Sequence, residues 1–285
     1  MEFVKRKFPD VLSKRYNGKM KKELTASGIK PSKGLGQNFL NDKSAIGKVI
    51  DSIEIKSDDF ILEIGPGTGV LTQEIAQKAE KVVAIEKDTR IIGLLKGFLS
   101  AFRNVEIIQG DALKIDLPNL KNYKVAGNLP FYLTAPLIRK YLETENQPQL
   151  MTLIIQKEVA QRICAKPPRM NLLAVSVQIY SQPKIISYIS KNSFWPKPQV
   201  DAAIIKIVPH QALAGERNLF FKIVKAGFLH PRKQLINNLS LGLDIERQEV
   251  KDWLEENQIS PTQRAETLSI ENWLKLLGSS PRQIS

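Results

Sequence analysis

Five short apolar segments, four of them followed by a segment with helical spacing, constrain the fold of this chain most strongly. These segments are Phe60–Ile64, Lys81–Glu86, Val105–Gln109, Tyr123–Gly127 and Leu150–Gln156. The first of them, Phe60–Ile64, is an almost fully apolar run, which is typical of a strand that is buried on both faces. Strand–helix alternation at this spacing predicts an α/β fold with a mainly parallel sheet and helices on both faces.

The helices and remaining strands follow the same patterns. Helical spacing between the strands is found at Val70–Ala79, Ile91–Phe98, Ala135–Leu142 and Glu158–Ile163. Two strand-like segments, Lys184–Ile189 and Ala202–Val208, are close in the chain and are expected to pair antiparallel. After His210 the strand patterns end and four helical segments follow, at Leu219–Phe228, Lys233–Leu241, Glu246–Asn257 and Ile270–Leu277. We interpret them as a small helical domain.

The length and charge distribution predict three regions. At about 150 residues per domain, 285 residues correspond to two domains or to one large domain with an appendage. Residues 1–33 hold ten basic and three acidic side chains and are predicted to form a basic tail. Residues 34–209 are predicted to form a catalytic domain, and residues 210–285 the helical domain. Met20 is a plausible alternative start, and we hypothesise that residues 1–19 are dispensable for catalysis.

Composition narrows the classes of partner. The formal net charge of +13 indicates a polyanion, either nucleic acid or an anionic membrane surface. No apolar run approaches the roughly 18 residues of a membrane span, and the N-terminus lacks the apolar region of a secretory signal. With one cysteine and two distant histidines, neither a disulfide nor a metal cluster is expected. A cytoplasmic protein without a metal is therefore predicted.

A glycine-rich turn and two acidic residues follow successive predicted strands. The segment Glu63–Gly69 has G-x-G-x-G spacing, in which Gly65 and Gly67 let the backbone turn sharply and approach a ligand. Glu86 ends the second strand and can accept hydrogen bonds from both hydroxyls of a ribose, whereas Asp111, after the third, can accept from an adenine amino group. Together they predict a nucleoside site, although each feature alone is also typical of a tight loop or a helix cap.

The fourth strand is followed by Asn128–Phe131. The side-chain oxygen of Asn128 and the backbone carbonyl of Leu129 can both accept hydrogen bonds from an amino group, which would orient its nitrogen lone pair for attack. The ring of Phe131 could stack on an extruded base. Taken alone, the same residues are also typical of a turn beside a core phenylalanine.

These motifs, in this order, resemble the class I S-adenosylmethionine-dependent methyltransferases that modify adenine N6. The segment Lys33–Leu40 narrows the resemblance to the rRNA adenine dimethyltransferase family. Further matching segments are Gln156–Ala160, Phe194–Asp201, Ala226–Leu239 and Arg264–Ser269. The resemblance covers about residues 21–278 and is closest to the KsgA-type enzymes, which act on small-subunit rRNA.

The resemblance implies S-adenosylmethionine as cofactor and a role for each matching residue. Asn38 and Leu40 would hold the methionine end beside Gly65, Glu86 would bind the ribose, and Asp111 the adenine. The full set expected to bind the cofactor is Asn38, Leu40, Gly65, Gly67, Glu86, Asp111 and Asn128.

The residues expected at the target base are Asn128, Leu129 and Phe131. Asn128 and the Leu129 carbonyl would bind the target amino group, and Phe131 would stack on the base. The family most often has tyrosine at this last position.

Between Arg217 and Leu243 the chain has five basic residues and no acidic one. We expect Arg217, Lys222, Lys225, Arg232 and Lys233 to contact RNA phosphates, the alternative being a solvated helix face. The function implied is dimethylation of two adjacent adenosines in the 3′-terminal hairpin of small-subunit rRNA, by a monomer, during ribosome assembly. The alternatives are a large-subunit rRNA dimethyltransferase and a non-catalytic RNA-binding assembly factor. A nicotinamide oxidoreductase fits less well, because its glycine spacing differs.

Overall fold

The computed structural model describes residues 22–115, 120, 122–210 and 215–281. Most of the predicted basic tail, and with it the hypothesis about Met20 and residues 1–19, lies outside the described residues. The described chain divides into two compact units. The first ends at Lys157 and resumes over Lys184–Val208, and the second combines Glu158–Pro183 with the described residues from Pro209 onward.

The strands and helices are numbered along the described chain. The strands are β1 (Phe39–Leu40), β2 (Phe60–Ile64), β3 (Lys81–Glu86), β4 (Val105–Gln109), β5 (Tyr123–Asn128), β6 (Leu150–Gln156), β7 (Ser181–Ile189), β8 (Phe194–Trp195) and β9 (Ala202–Pro209). The helices are α1 (Lys43–Ile53), α2 (Val70–Ala76), α3 (Thr89–Leu99), α4 (Thr134–Leu142), α5 (Lys157–Ile163), α6 (Leu172–Gln178), α7 (Arg217–Gly227), α8 (Leu235–Leu243), α9 (Arg247–Glu256) and α10 (Ile270–Gly278).

Seven strands form one mixed sheet in the order β4-β3-β2-β5-β6-β9-β7. The pairs β2–β3, β2–β5, β3–β4 and β5–β6 are parallel, and β9 runs antiparallel to β6. The predicted α/β fold with a mainly parallel sheet and an antiparallel strand is confirmed, and β7 and β9 are neighbours as expected. Ile64 of β2 lies opposite Ile85 of β3 and Gly127 of β5, so these strands end at the same edge.

The core of the first unit explains why these strands form. Ile61, Leu62 and Ile64 of β2 are all buried, because helices cover both faces of a parallel sheet. Helix α1 contributes buried apolar residues such as Val49 to the same core. Its N-cap, Asp42, accepts from the backbone N–H groups of Ser44 and Ala45. These side-chain hydrogen bonds satisfy donors that would otherwise lack partners in the first turn.

The second unit does not follow the boundary expected at residue 210. It includes Glu158–Pro183 as well as the C-terminal helices, because α6 packs against α7 and the Met170 N–H donates to the Glu266 carbonyl at 2.9 Å. Helix α7 also packs against α8 and α10. A Cβ atom at Gly227 would lie 2.4 Å from the Trp273 ring, so only glycine fits this packing.

One two-stranded element has no counterpart in the sequence prediction. Strand β1 pairs antiparallel with β8, with Phe39 opposite Trp195 and Leu40 opposite Phe194. The Ser193 hydroxyl, next to β8, donates to the Asp42 carboxylate at 2.7 Å. This pairing joins the segment that precedes α1 to a loop about 150 residues further along the chain.

We expect the loss of one partner of the buried ion pair between Lys124 and Asp59 to lower the free energy of unfolding more than the loss of both partners. The Lys124 ammonium lies 2.7 Å from the Asp59 carboxylate, and both side chains are less than a tenth exposed. Lys124→Met should lower the free energy of unfolding by about 3–5 kcal/mol, because it leaves a buried unpaired carboxylate. Urea denaturation should show that adding Asp59→Asn restores part of this loss. A double variant less stable than Lys124→Met would contradict this explanation.

Candidate active site

The turn after β2 requires glycine at three positions. Gly65, Gly67 and Gly69 have φ values of 68°, 54° and 75°, in the left-handed region that side chains disfavour. The Gly65 N–H donates to the Ile85 carbonyl at 2.9 Å, which ties the turn to β3. A Cβ atom at Gly67 would lie 3.0 Å from the ring of Phe39. The turn is therefore compact and in contact with the segment that contains β1.

A cleft in the first unit brings the predicted site residues together. It opens at the edge where β2, β3, β4 and β5 end. All nine residues predicted for the cofactor and the target base line it, namely Asn38, Leu40, Gly65, Gly67, Glu86, Asp111, Asn128, Leu129 and Phe131. Residues this far apart in sequence meet because parallel strands end at a common edge.

The Glu86 carboxylate is held by two backbone groups. One oxygen accepts from the Gly67 N–H at 3.1 Å and the other from the Asp88 N–H at 2.8 Å. Burial raises the pKa of Glu86, and these hydrogen bonds oppose the rise. Each carboxylate oxygen can accept a further hydrogen bond, so that Glu86 is able to receive two hydroxyl groups.

Asp111 already has partners for both of its carboxylate oxygens. One accepts from the Leu113 N–H at 3.0 Å, as in a cap, and the other lies 2.9 Å from the Lys87 ammonium. The hydrogen bond from Lys87 holds the pKa of Asp111 below its usual value. Sequence reasoning missed Lys87, which also lines the cleft.

The orientation of the Asn128 amide is defined by a distant segment. Its Nδ2 donates to the Asn38 carbonyl at 2.7 Å, so that Oδ1 remains as a hydrogen-bond acceptor. The Leu129 N–H donates to the Ile154 carbonyl at 3.0 Å, which fixes the backbone beside it. A Cβ atom at Gly127 would lie 2.6 Å from the Ile64 carbonyl oxygen, so the approach to β2 requires glycine.

Two aromatic side chains lie at the rim of the cleft. Phe131 is 37% exposed and Tyr132 is 50% exposed, and both belong to a short 3-10 turn before α4. A Cβ atom at Gly36 would lie 3.1 Å from the Pro130 side chain, so the residues before β1 pack closely against this turn. An exposed ring can stack on a base, and sequence reasoning missed Tyr132 as a second candidate.

Glu63 is a further acidic group of the cleft that sequence reasoning placed only within the glycine motif. It is 1% exposed, and its Oε2 atom has no hydrogen-bond partner. Burial raises the pKa of Glu63 to about 7, and the neighbouring Glu86 raises it further. A buried carboxyl group that lines a cleft and has a strongly shifted pKa is a candidate functional group. The acceptor groups of Glu86 and Asp111 in the same cleft fit the hydroxyl and amino groups of a nucleoside.

The described residues contain neither a metal-binding cluster nor a membrane-spanning helix. No group of three or more His, Cys, Asp or Glu side chains among them could hold a metal ion. None of the described helices is long and apolar enough to cross a membrane.

Comparison with known proteins identifies the family. Residues 29–278 match the family described as "Ribosomal RNA adenine dimethylase". The chain belongs to this family. The resemblance inferred from the motifs is thereby confirmed, and the chain is an rRNA methyltransferase.

The names of two similar proteins support the assignment to this family. A protein of Alkaliphilus oremlandii named "Ribosomal RNA small subunit methyltransferase A" is 41% identical over 258 residues, covering 86% of this chain and 90% of the relative. A protein of the same name from Dehalococcoides mccartyi is 38% identical over 256 residues, covering 87% of this chain and 88% of the relative.

Two solved structures of methyltransferases share the fold. A dimethyladenosine transferase from Plasmodium falciparum gives a TM-score of 0.73 at 26% identity, over 86% of this chain and 98% of that one. The 23S rRNA methyltransferase ErmE gives 0.72 at 25% identity, over 85% of this chain and 99% of that one.

The basic residues predicted to contact RNA all belong to the second unit of this dimethyltransferase. Lys222 and Lys225 are exposed on α7, and Arg232 and Lys233 are exposed between α7 and α8. Arg217 differs from the others, because it is half-buried and its guanidinium lies 5.8 Å from the centre of the Tyr180 ring.

We expect Glu63 to make the stability of the protein depend on pH. Its pKa of about 7 in the folded state is higher than the usual 4.5. The folded protein therefore keeps a proton that the unfolded chain loses, and stability declines as pH rises from 4.5 to 7. Glu63→Gln should remove the part of this decline that comes from Glu63 and raise the free energy of unfolding at pH 8 by up to about 3 kcal/mol.

Urea denaturation at pH 5 and pH 8 measures this effect. Glu106→Gln is the matched control, because Glu106 is half-exposed and pairs with Lys81 on the surface of the same sheet. Equal pH dependence in the wild type and in Glu63→Gln would contradict the assignment.

Proposed function

We propose that this dimethyltransferase transfers methyl groups from S-adenosylmethionine to N6 of two adjacent adenosines in the 3′-terminal hairpin of small-subunit rRNA. We further propose that it acts as a cytoplasmic monomer during assembly of the small subunit. The observation that carries the proposal is the hydrogen bond from the Asn128 amide to the Asn38 carbonyl, which leaves Oδ1 of Asn128 as an acceptor. The names of the curated relatives support the small subunit as the target.

The cleft residues fit the proposed cofactor. Glu86 would accept hydrogen bonds from the ribose hydroxyls, and Asp111 would lie at the adenine, where Lys87 competes for one of its oxygens. Asn38, Leu40 and Gly65 would contact the methionine end. When bound, the cofactor supplies an activated methyl group on a sulfonium, so that the protein has to provide orientation rather than a strong base.

Asn128 and Leu129 would prepare the target nitrogen. The lone pair of adenine N6 is delocalised into the ring, which makes this nitrogen a poor nucleophile. Hydrogen bonds from its N–H groups to Asn128 Oδ1 and to the Leu129 carbonyl favour the tetrahedral nitrogen of the transition state. Phe131 would stack on the extruded base, which offsets part of the few kcal/mol that unstacking costs.

A large-subunit rRNA target is the second candidate. Its support is the similarity to ErmE, whose printed title names a 23S rRNA methyltransferase. That similarity is at 25% identity, whereas the relatives named for the small subunit are at 38–41%. The small-subunit proposal is therefore the stronger one.

The direct test is transfer of labelled methyl groups to undermethylated small-subunit particles, with large-subunit rRNA in parallel. N6,N6-dimethyladenosine at paired sites of the small-subunit RNA is the expected product. Label confined to large-subunit RNA would show that the large-subunit rRNA, and not the small-subunit rRNA, is the target. Cofactor binding without any label would support a non-catalytic assembly factor.

We expect Asn128→Ala to abolish methyl transfer while it changes cofactor affinity by no more than about tenfold. The variant removes an acceptor that acts mainly on the target amino group. Asn146→Ala is the matched control, because it also removes an amide that donates to a backbone carbonyl, that of Leu120, but at an exposed position. Near-normal turnover of Asn128→Ala would show that the assigned role is wrong.

Charge reversal in the second unit should weaken RNA binding. Arg232→Glu and Lys233→Glu should each lower affinity for the particle and reduce the slope of log K against log salt by about one. Lys251→Glu, on α9 and half-exposed beside Glu255, is the matched control. Unchanged salt dependence in both loop variants would exclude this loop as a phosphate contact.

A further inference from the structure

Both polar atoms of the Gln37 side-chain amide form hydrogen bonds. Nε2 donates to the Asp88 carboxylate at 2.8 Å, and Oε1 accepts from the Ser32 N–H at 2.7 Å. The Gln37 N–H also donates to the Ser32 carbonyl at 3.2 Å. Residues 32–38, here named the N-terminal strap, are thus closed into a loop and tied to a residue 51 positions away. Four strap residues, 35–38, line the cleft.

Asp88 is a rigid anchor for this contact. It is 4% exposed, it caps the N-terminus of α3, and its carboxylate forms two side-chain hydrogen bonds with Arg90. The hydrogen bond from Arg90 lowers the pKa of Asp88, so that its carboxylate is charged at neutral pH. A hydrogen bond from an amide to such a carboxylate is stronger than one between neutral groups. The backbone N–H of the same residue holds Glu86.

The next residue of the strap touches the target-base side of the cleft. The Asn38 carbonyl accepts the hydrogen bond from Asn128, and the Asn38 side chain donates to the Gly36 carbonyl at 3.1 Å. The position of the carbonyl that orients Asn128 is thus set by the strap. In turn, the strap is held at Asp88 through the amide of Gln37.

We propose that Gln37 is a positioning residue that fixes the orientation of the Asn128 amide through the strap, by acting through Asn38 rather than on the reacting atoms. This inference rests on the proposed role of Asn128. If the hydrogen bond from Gln37 to Asp88 is lost, the Asn38 carbonyl can shift and the Asn128 amide can rotate. A displacement of about 1 Å is enough to cost up to about two orders of magnitude in rate.

The arrangement separates the expected effect on turnover from the effect on cofactor affinity. The Glu86 carboxylate is held by the backbone N–H groups of Gly67 and Asp88, which do not themselves bond to Gln37. Gln37→Leu should therefore lower kcat at saturating RNA at least tenfold. Because Asn38 of the same strap is expected at the methionine end, the Kd of S-adenosylhomocysteine should rise as well, but by a smaller factor of less than about threefold. A rise in Kd with kcat unchanged would overturn the proposal.

Gln248→Leu is a matched control for this substitution. Gln248 donates to the Asp252 carboxylate at the same distance of 2.8 Å, but on the exposed face of α9 in the second unit. Loss of an amide–carboxylate hydrogen bond at that position should leave kcat and Kd at the wild-type values.

Gln37→Glu should make kcat depend on pH in a way that the loss of a merely stabilising contact would not. It places a second carboxylate against Asp88, and this repulsion should raise the pKa of the introduced group. Lowering the pH from 8 to 6 should protonate that group, restore a donor and recover kcat relative to wild type at least threefold. A constant ratio of variant to wild-type kcat across this range would count against the proposal.

The decisive measurement needs no turnover. In the wild type, the side-chain amide NMR signal of Asn128, assigned by its loss in Asn128→Ala, should show slow hydrogen exchange. In Gln37→Leu that exchange should be at least tenfold faster, and in Gln248→Leu it should be unchanged. Unchanged exchange in Gln37→Leu overturns the proposal. Absence of methyl transfer by the wild-type protein would instead refute the proposed function.

Discussion

The register of the parallel strands is the constraint on which the site depends. Because β2 pairs with both β3 and β5, Ile64, Ile85 and Gly127 lie side by side. The next residues, namely Gly65 just after β2, Glu86 at the end of β3 and Asn128 at the end of β5, lie at the same edge of the sheet. A shift of one residue in either pairing would turn every side chain to the opposite face and separate these groups. The register of β2 with β3 and β5 thus fixes the functional geometry.

The cleft is lined by acidic side chains, whereas the chain as a whole is basic. The chain has a net charge of +13, yet the cleft is lined by Glu63, Glu86 and Asp111, with Lys87 paired to the last of these. An acidic cleft attracts a cation, whereas a basic surface attracts a polyanion. Two oppositely charged ligands can therefore bind the same protein without competing for the same side chains. This division suits an enzyme with a cationic donor and an RNA acceptor.

The sequence predicted the sheet better than the second unit. Strands buried on both faces are apolar runs, so β2, β3 and β6 have the predicted bounds, and β5 is one residue longer. The edge strand β4 also has the predicted bounds, although it is only partly buried. The β1–β8 pair was missed because strands of two residues are too short to show a period, and α6 because its segment Leu172–Gln178 is mostly apolar and shows no clear helical period. The nine residues predicted for the cleft do meet, but their roles remain predictions. Lys87 and Gln37 were missed, because single polar residues carry no pattern.

The strap shows why a motif can be recognisable in sequence while its role is not. Nothing in Lys33–Leu40 suggests a contact with Asn128, which is 90 residues from Asn38. The contact arises because β1 pairs with β8 and the strap crosses the edge of the sheet between Asp88 and Asn128. A backbone carbonyl serves as the acceptor, so the identity of the side chain does not encode the bond. The strap therefore connects Asp88, whose N–H holds Glu86, with Asn128, and the two parts of the cleft that are proposed to bind cofactor and base belong to one hydrogen-bonded structure.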